Sequence, residues 1–330
     1  MWRVAYCRRT RNSELENRCL RPDEVKSDVT MTSIVIVIPA RLAATRLPGK
    51  PMALIGDVPM VVQVMRRAME ADIAPVVVAC DAEEIAEVVR AHGGIAVLTR
   101  PDHPSGSDRV WEAVQTLESR VESRESSNKV AGEDSPPYLP PAGGGDKEIG
   151  AANAKPIPPV YGGERGGKTP VTHHPPLVTS FDIIINLQGD LPTLDPSLIQ
   201  ALIAVISRPG VDIATLAAPI TRAEEHTSPS VVKAVIASDG RALYFTRATA
   251  PYGDGPRYHH IGLYAYRRAA LARFVSLPPS PLEKSEKLEQ LRALEDGLHI
   301  AVSVVDTVPL GVDTPEDLAR ARRIMERKSQ

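Results

Sequence analysis

The sequence predicts an α/β fold on a mostly parallel sheet, with a β-hairpin region inserted, and three observations predict it. Residues 33–38 read SIVIVI, an apolar run without polar alternation, the pattern of a strand buried on both faces of a parallel sheet. Runs of this kind alternate with segments of helical spacing, and a βαβα order leads to a parallel sheet. Gly, Pro and Asp residues punctuate these segments where strand ends and helix starts require them.

The elements follow in order. Pro59 stands at a helix N1 position, with Val61, Val64, Met65 and Ala68 on one helical face. Residues 76–80 form a second strand ending at Asp81, which reads as an N-cap with Glu84 three residues on. That helix stops at Gly93 and Gly94. Residues 95–98 supply a third strand and 182–187 a fourth, followed by a helix opened by Asp195 and Pro196. Residues 231–237 and 242–246 flank Ser238, Asp239 and Gly240, the pattern of the inserted hairpin. A strand at 260–266, two helices, a strand at 300–305 and a last helix complete the chain. Thr314 as N-cap, Pro315 at N1 and Asp317 at N3 mark the start of that last helix.

Two regions stand apart. Residues 1–30 carry 7 Lys+Arg and 5 Asp+Glu with no apolar period, so they are expected to be a disordered extension, with Met31 the expected translation start. Residues 119–178 hold 10 Pro and 9 Gly and are expected to be a disordered insertion in the domain that spans 31–330. Removing both leaves 240 residues, enough for one α/β domain with a full core. Inside the insertion GGERGGKT, residues 162–169, satisfies the P-loop expression GxxxxGK[ST]. That loop needs a buried strand before it and a helix after it, and here prolines stand on both sides.

Lys and Arg number 39 against 41 Asp and Glu, a net charge of −2 that offers no general attraction for nucleic acid or an anionic membrane. No apolar stretch approaches the roughly 18 residues of a membrane span. Cys7, Cys19 and Cys80 show neither metal nor disulfide spacing, and the first 30 residues lack a secretory h-region, so a cytoplasmic protein is expected.

The chemistry-bearing residues gather at strand ends. From Ile34 to Gly56 there is no acidic residue, yet Arg41, Arg46 and Lys50 fall within ten residues of one loop after the first strand. Open α/β sheets bind ligands at the carboxyl ends of their strands. Three uncompensated cations there suit a polyphosphate, at roughly 1.5–3 kcal/mol per charge-assisted contact. Composition alone leaves a solvated basic loop equally open. Asp190, in LQGDLP after the fourth strand, reads singly as a turn former, and Asp313, before the last N-cap, as a complement to the helix dipole. Taken together, two carboxylates from separate strand ends match the way Mg²⁺ is held, by one or two carboxylates plus substrate phosphates.

Seven motifs in order resemble the signature set of the 3-deoxy-manno-octulosonate (Kdo) cytidylyltransferase family: PARLAATRLPGKP (39–51), TRPDHPSGSDR (99–109), LQGDLP (187–192), LYFTRATAPY (243–252), HHIGLYAYRR (259–268), SPLEKSEKLEQLR (280–292) and GVDTPEDL (311–318). The resemblance implies transfer of CMP from CTP to Kdo with release of pyrophosphate for lipopolysaccharide biosynthesis. It also implies dependence on Mg²⁺, a Rossmann-like nucleotidyltransferase fold and a cytoplasmic homodimer. It assigns Arg41, Arg46 and Lys50 to the triphosphate, Arg100 and Ser105 to the neighbourhood of the cytosine, and Asp190 and Asp313 to the metal. Arg41, Lys50, Asp190 and Asp313 would carry catalysis. Arg247, His260, Tyr264, Glu289 and Gln290 match positions lining the Kdo pocket, where Arg247 suits the sugar carboxylate and the others its hydroxyls. Without the family, Arg247 reads as a surface cation and His260 and Tyr264 as a packed strand face. Leu191, Thr45 and Thr246 depart mildly from the family pattern, which commonly has Glu, Ser and Ser there. Another acidic sugar, such as 8-amino-Kdo or sialic acid, and a non-catalytic nucleotide-binding regulator are the alternatives.

Overall fold

The computed structural model describes residues 32–43, 47–131 and 180–328; the N-terminal 31 residues and the GGERGGKT segment lie outside them. The strands and helices are β1 (Ile34–Ala40), a 3₁₀ turn (Lys50–Met52), β2 (Leu54–Ile55), β3 (Val58–Pro59), α1 (Met60–Met69), β4 (Val76–Cys80), α2 (Glu83–Ala91), β5 (Ile95–Leu98), α3 (Gly106–Ala131), β6 (Ile183–Asn186) and α4 (Ser197–Ile206). There follow β7 (Ile213–Pro219), α5 (Ala223–Thr227), β8 (Lys233–Ile236), β9 (Ala242–Thr246), β10 (Tyr258–Arg267), α6 (Arg268–Ser276), α7 (Pro281–Glu286), α8 (Leu291–Glu295), β11 (Ile300–Val304) and α9 (Pro315–Lys328).

The main sheet runs β11-β7-β10-β6-β1-β4-β5, with β8 and β9 attached beside β10. β1 pairs in parallel with β4 and β6, β4 with β5, and β7 with β11. Only β10 breaks the direction along this path, lying antiparallel to both β6 and β7. The absence of alternation in β1 has its cause in two cores. Ile36 and Ile38 pack with Val61, Val64 and Met65 of α1 on one face, while Val35 and Val37 pack with Val110 and Val114 of α3 on the other. Each such side chain, fully removed from water, contributes roughly 1.5–3 kcal/mol.

The mostly parallel α/β sheet, the inserted hairpin and the last helix start are as the sequence predicts. Gly240 takes φ +88° in the β8–β9 turn, and Thr314 and Asp317 exchange backbone bonds in a capping box. Several details differ. Pro59 is the N-cap of α1 rather than its first residue. Asp81 does not cap α2: Ala82 holds that position without a side-chain bond, and the Asp81 carboxylate turns toward the sheet edge instead. Three helices, not two, join β10 to β11. Strand β7 was not anticipated; its Ala-rich sequence IATLAAP is a strand because β10 and β11 pair on both sides of it. Helix α3 runs on to Ala131, past the expected insertion boundary at 119, because the first Gly or Pro beyond Gly106 is Gly132.

Candidate active site

The parallel strands β1, β4, β5, β6 and β11 send their carboxyl ends to one edge of the sheet, and the loops that follow build a cleft of about 300 Å³. Pro39, Ala40 and Arg41 line it from the end of β1, Gln188, Gly189 and Asp190 from the loop after β6, and Asp313 from the segment after β11. His103, Pro104, Ser105, Gly106 and Arg109 close it from the start of α3. Gly49, at φ +65°, turns the chain into the 3₁₀ turn and so delivers Lys50.

Lys50 joins the parts. Its Nζ donates to Asp190 Oδ2 at 2.8 Å and to Asp313 Oδ1 at 2.9 Å, so residues 140 and 263 positions away meet on one ammonium. Burial alone would lower the Lys50 pKa, but the two carboxylates outweigh it and raise it above the ordinary 10.5, keeping the side chain charged. The backbone reinforces this meeting, since the Val312 N–H donates to the Asp190 carbonyl at 3.0 Å.

Gly189 explains the QGD sequence. A Cβ at this position would stand 2.8 Å from the Pro39 carbonyl oxygen, so only glycine lets the loop after β6 lie against the end of β1. Gly189→Ala is expected to cost about 1–3 kcal/mol of stability and to weaken nucleotide binding, because the two cleft walls must part. Thermal melts together with calorimetric titration of CTP check this; unchanged values in both refute it.

The other sequence-predicted residues fall in different places. Ser105 lines the cleft and its hydroxyl donates to Asp108 at 2.6 Å. Arg100 does not figure among the described lining residues; its side chain is 66% exposed, within 4 Å of Asp102 and Glu112. Arg46 lies outside the described residues. Glu289 accepts a bond from Ser107 Oγ at 3.2 Å, which ties it to the first turn of α3 beside the cleft. Burial raises the Glu289 pKa, with Asp108 adding to the shift and Ser105, Arg292 and Ser107 opposing it. Tyr264 pairs in register with Asn186, whose side-chain oxygen accepts from the cleft-lining Gln188 at 3.4 Å. Gln290, which follows Glu289 in the chain, is buried, and its Nε2 has no hydrogen-bond partner. Arg247 is turned to the protein, with Nε donating to the Glu286 carbonyl at 3.0 Å and Nη1 to that of Pro229 at 2.9 Å.

His260 is enclosed by Phe245 and Tyr264, with Nε2 3.0 Å from Thr215 Oγ1. Burial first, and then the neighbouring His259, push its pKa down to about 3, so the ring is neutral in the folded protein near neutral pH. A histidine depressed in the folded state leaves the unfolded chain to bind the proton first as pH falls. Its contribution is complete above the ordinary value of 6.5 and is lost progressively from there toward pH 3. Thermal midpoints measured down that range should fall more steeply in the wild type than in His260→Gln; parallel slopes refute a buried neutral ring.

Three cleft residues with polar side chains escaped the sequence reading. His103, bonded to Glu112, and Arg109 lie within a motif quoted for the family, but nothing in their spacing separates a cleft wall from a solvated helix start. Gln188 is the third, visible only as the neighbour of Gly189.

Among the described residues there is no group of three or more His, Cys, Asp or Glu suited to a metal ion, and no helix long and apolar enough to cross a membrane. The carboxylates of Asp190 and Asp313 nevertheless share one cationic partner in an open cleft. Two hard oxygen donors with room beside them for phosphates fit Mg²⁺, which keeps most of its shell for water and substrate.

The sequence profile of the family described as Cytidylyltransferase matches residues 35–128 and 173–300, leaving out 129–172 within the proline- and glycine-rich segment. A 3-deoxy-manno-octulosonate cytidylyltransferase of Bradyrhizobium sp. (strain BTAi1 / ATCC BAA-1182) is 52% identical over 303 residues, 91% of this chain and 100% of that protein. That of Parvibaculum lavamentivorans is 53% identical over 300 residues, 89% of this chain and 93% of its own length. A solved structure of CMP:2-keto-3-deoxy-manno-octonic acid synthetase complexed with CTP superposes with a TM-score of 0.69 at 33% identity, covering 90% of this chain and 100% of that one. With half of its residues shared along nine-tenths of its length, the chain belongs to the 3-deoxy-manno-octulosonate cytidylyltransferase family.

Proposed function

We propose that the protein transfers CMP from CTP to the anomeric hydroxyl of Kdo, releasing pyrophosphate and forming CMP-Kdo. The observation that carries this reading is the convergence of Lys50, Asp190 and Asp313, from three separate strand-end loops, on one point of the cleft. The anomeric hydroxyl gives up its proton to solvent as its oxygen attacks the α-phosphorus of CTP. The new O–P bond forms, the bond from the α-phosphorus to the bridging oxygen breaks, and that oxygen leaves with pyrophosphate. Such chemistry asks the protein for positioning and charge stabilisation. Arg41 and Lys50 bind the triphosphate and stabilise the departing pyrophosphate. Tyr264, beside Asn186 and Gln188, and Glu289, bonded to Ser107, supply hydrogen bonds to the sugar hydroxyls together with the neighbouring Gln290. Asp190 and Asp313 would hold Mg²⁺, which neutralises phosphate charge when bound.

The reading extends to a cytoplasmic homodimer serving lipopolysaccharide biosynthesis. It is supported by family membership and by a nucleoside triphosphate as co-substrate. The names of the relatives favour Kdo over 8-amino-Kdo and sialic acid. A pyrophosphate-release assay with CTP and these three sugars, with Mg²⁺ and with chelator, tests the whole proposal. Release is expected with Kdo above the other two, and only with the metal. Preference for another sugar, or no release, overturns it; light scattering on the eluting protein tests the dimer.

A further inference from the structure

Three loops of the cleft are cross-tied by a pair of charges that the reaction itself does not use. Asp81, just after β4, accepts the Leu42 N–H on Oδ1 at 3.2 Å, one residue beyond Arg41. Its Oδ2 lies 3.7 Å from Nη2 of Arg109, and the two side chains are 9% and 3% exposed. Nη1 of Arg109 donates to Thr99 Oγ1 at 2.6 Å and to the Arg100 carbonyl at 3.1 Å, at the end of β5. Thr99 Oγ1 in turn donates to the Cys80 carbonyl at 3.1 Å, which returns the chain of bonds to β4. The loop after β1, the turn after β4, the turn after β5 and the first turn of α3 are thus held in one spacing by one buried ion pair. Buried charges are retained where they are paired and hydrogen-bonded, and losing one partner leaves the other uncompensated. An Asp that merely capped α2 would make none of these contacts.

We infer that Asp81 and Arg109 are positioning residues for the nucleotide: together they set the distance between the Arg41 side and the Ser105 side of the cleft. The inference rests on the reading of this cleft as the CTP site. Neither residue need touch the sugar, so the effect is specific to one substrate. Asp81→Ala, which removes both the acceptor for Leu42 and the partner of Arg109, is expected to raise the KM for CTP by about tenfold or more, since small displacements of binding groups carry losses of that order. The KM for Kdo and kcat at saturating CTP should stay within about threefold of wild type, because the sugar side keeps its own contacts. Asp81→Asn keeps an oxygen acceptor for Leu42 and should recover part of the loss. The double variant Asp81→Ala/Arg109→Met should be no worse than the poorer single one, as for residues acting as one unit.

Calorimetric titration of CTP into each full-length variant accompanies the kinetics. If wild type binds CTP but does not turn over Kdo, the functional reading fails while the shift in CTP dissociation constant still tests the positioning pair. A lowered thermal midpoint with unchanged CTP affinity, or equal rises in both KM values, overturns the inference. Should Asp81→Ala not fold, the near-isosteric Asp81→Asn is judged by the same split between the two substrates.

Discussion

Asp190→Asn and Asp313→Asn are each expected to lower turnover by more than about 100-fold, beyond the 10- to 100-fold typical of groups that only orient a metal ligand. Both carboxylates lie within 2.9 Å of the Lys50 ammonium, although 123 positions separate them in the chain. If they hold one Mg²⁺ as proposed, the double variant should be little worse than either single one, because ligands of one ion act as a unit. The fold should survive, since an asparagine still serves the turn after β6 and the approach to α9. Kinetics across a Mg²⁺ titration, with circular dichroism as control, measure this. Independent multiplicative losses, or full activity in either single variant, refute a shared site.

Lys50→Met is expected to cost about 100- to 1,000-fold in turnover, the usual loss when a preorganised group facing developing negative charge is removed. It has a second consequence that needs no substrate. In the folded protein the ammonium neutralises two carboxylates drawn to the same point, and methionine leaves them facing each other. The thermal midpoint should therefore fall without added metal. Mg²⁺ should restore it by more than it raises the midpoint of wild type, where Lys50 competes for the same oxygens. Equal Mg²⁺ responses in the two proteins would show that the ion, if bound, does not use this pair.

How much of this was legible in the sequence depends on whether its cause was local. β1 and β4 announce themselves because burial on two faces leaves no polar alternation to write, and α9 because Thr314, Pro315 and Asp317 cap it within four residues. β7 does not, since an Ala-rich run becomes a strand through partners 39 and more residues downstream. Asp81 illustrates the same limit at the site. Its sequence neighbours suggest a cap, and its real partners, Leu42 and Arg109, come from the ends of other elements. The pairing of Asp190 and Asp313 was one open reading on residue chemistry until the family resemblance favoured it, because each has a sufficient local role as a turn or helix-start residue. Arg100, which the motif assigns to the neighbourhood of the cytosine, lies largely exposed beside Asp102 and Glu112.

The strand that reverses direction along the main path of the sheet bears on how the protein is made. β10 sits between β6 and β7 but is translated after both, so neither can complete its native pairing until residues 258–267 have left the ribosome. Asp190 follows β6 on one side of that strand, and Asp313 follows β11 on the other. A growing chain thus holds one half of the carboxylate pair long before the strand that brings in the other. The cleft is assembled only after residues through Asp313 have emerged, and its two acids meet only in a molecule whose sheet has shut around β10. A substitution that weakens that strand would part Asp190 from Asp313 without touching either.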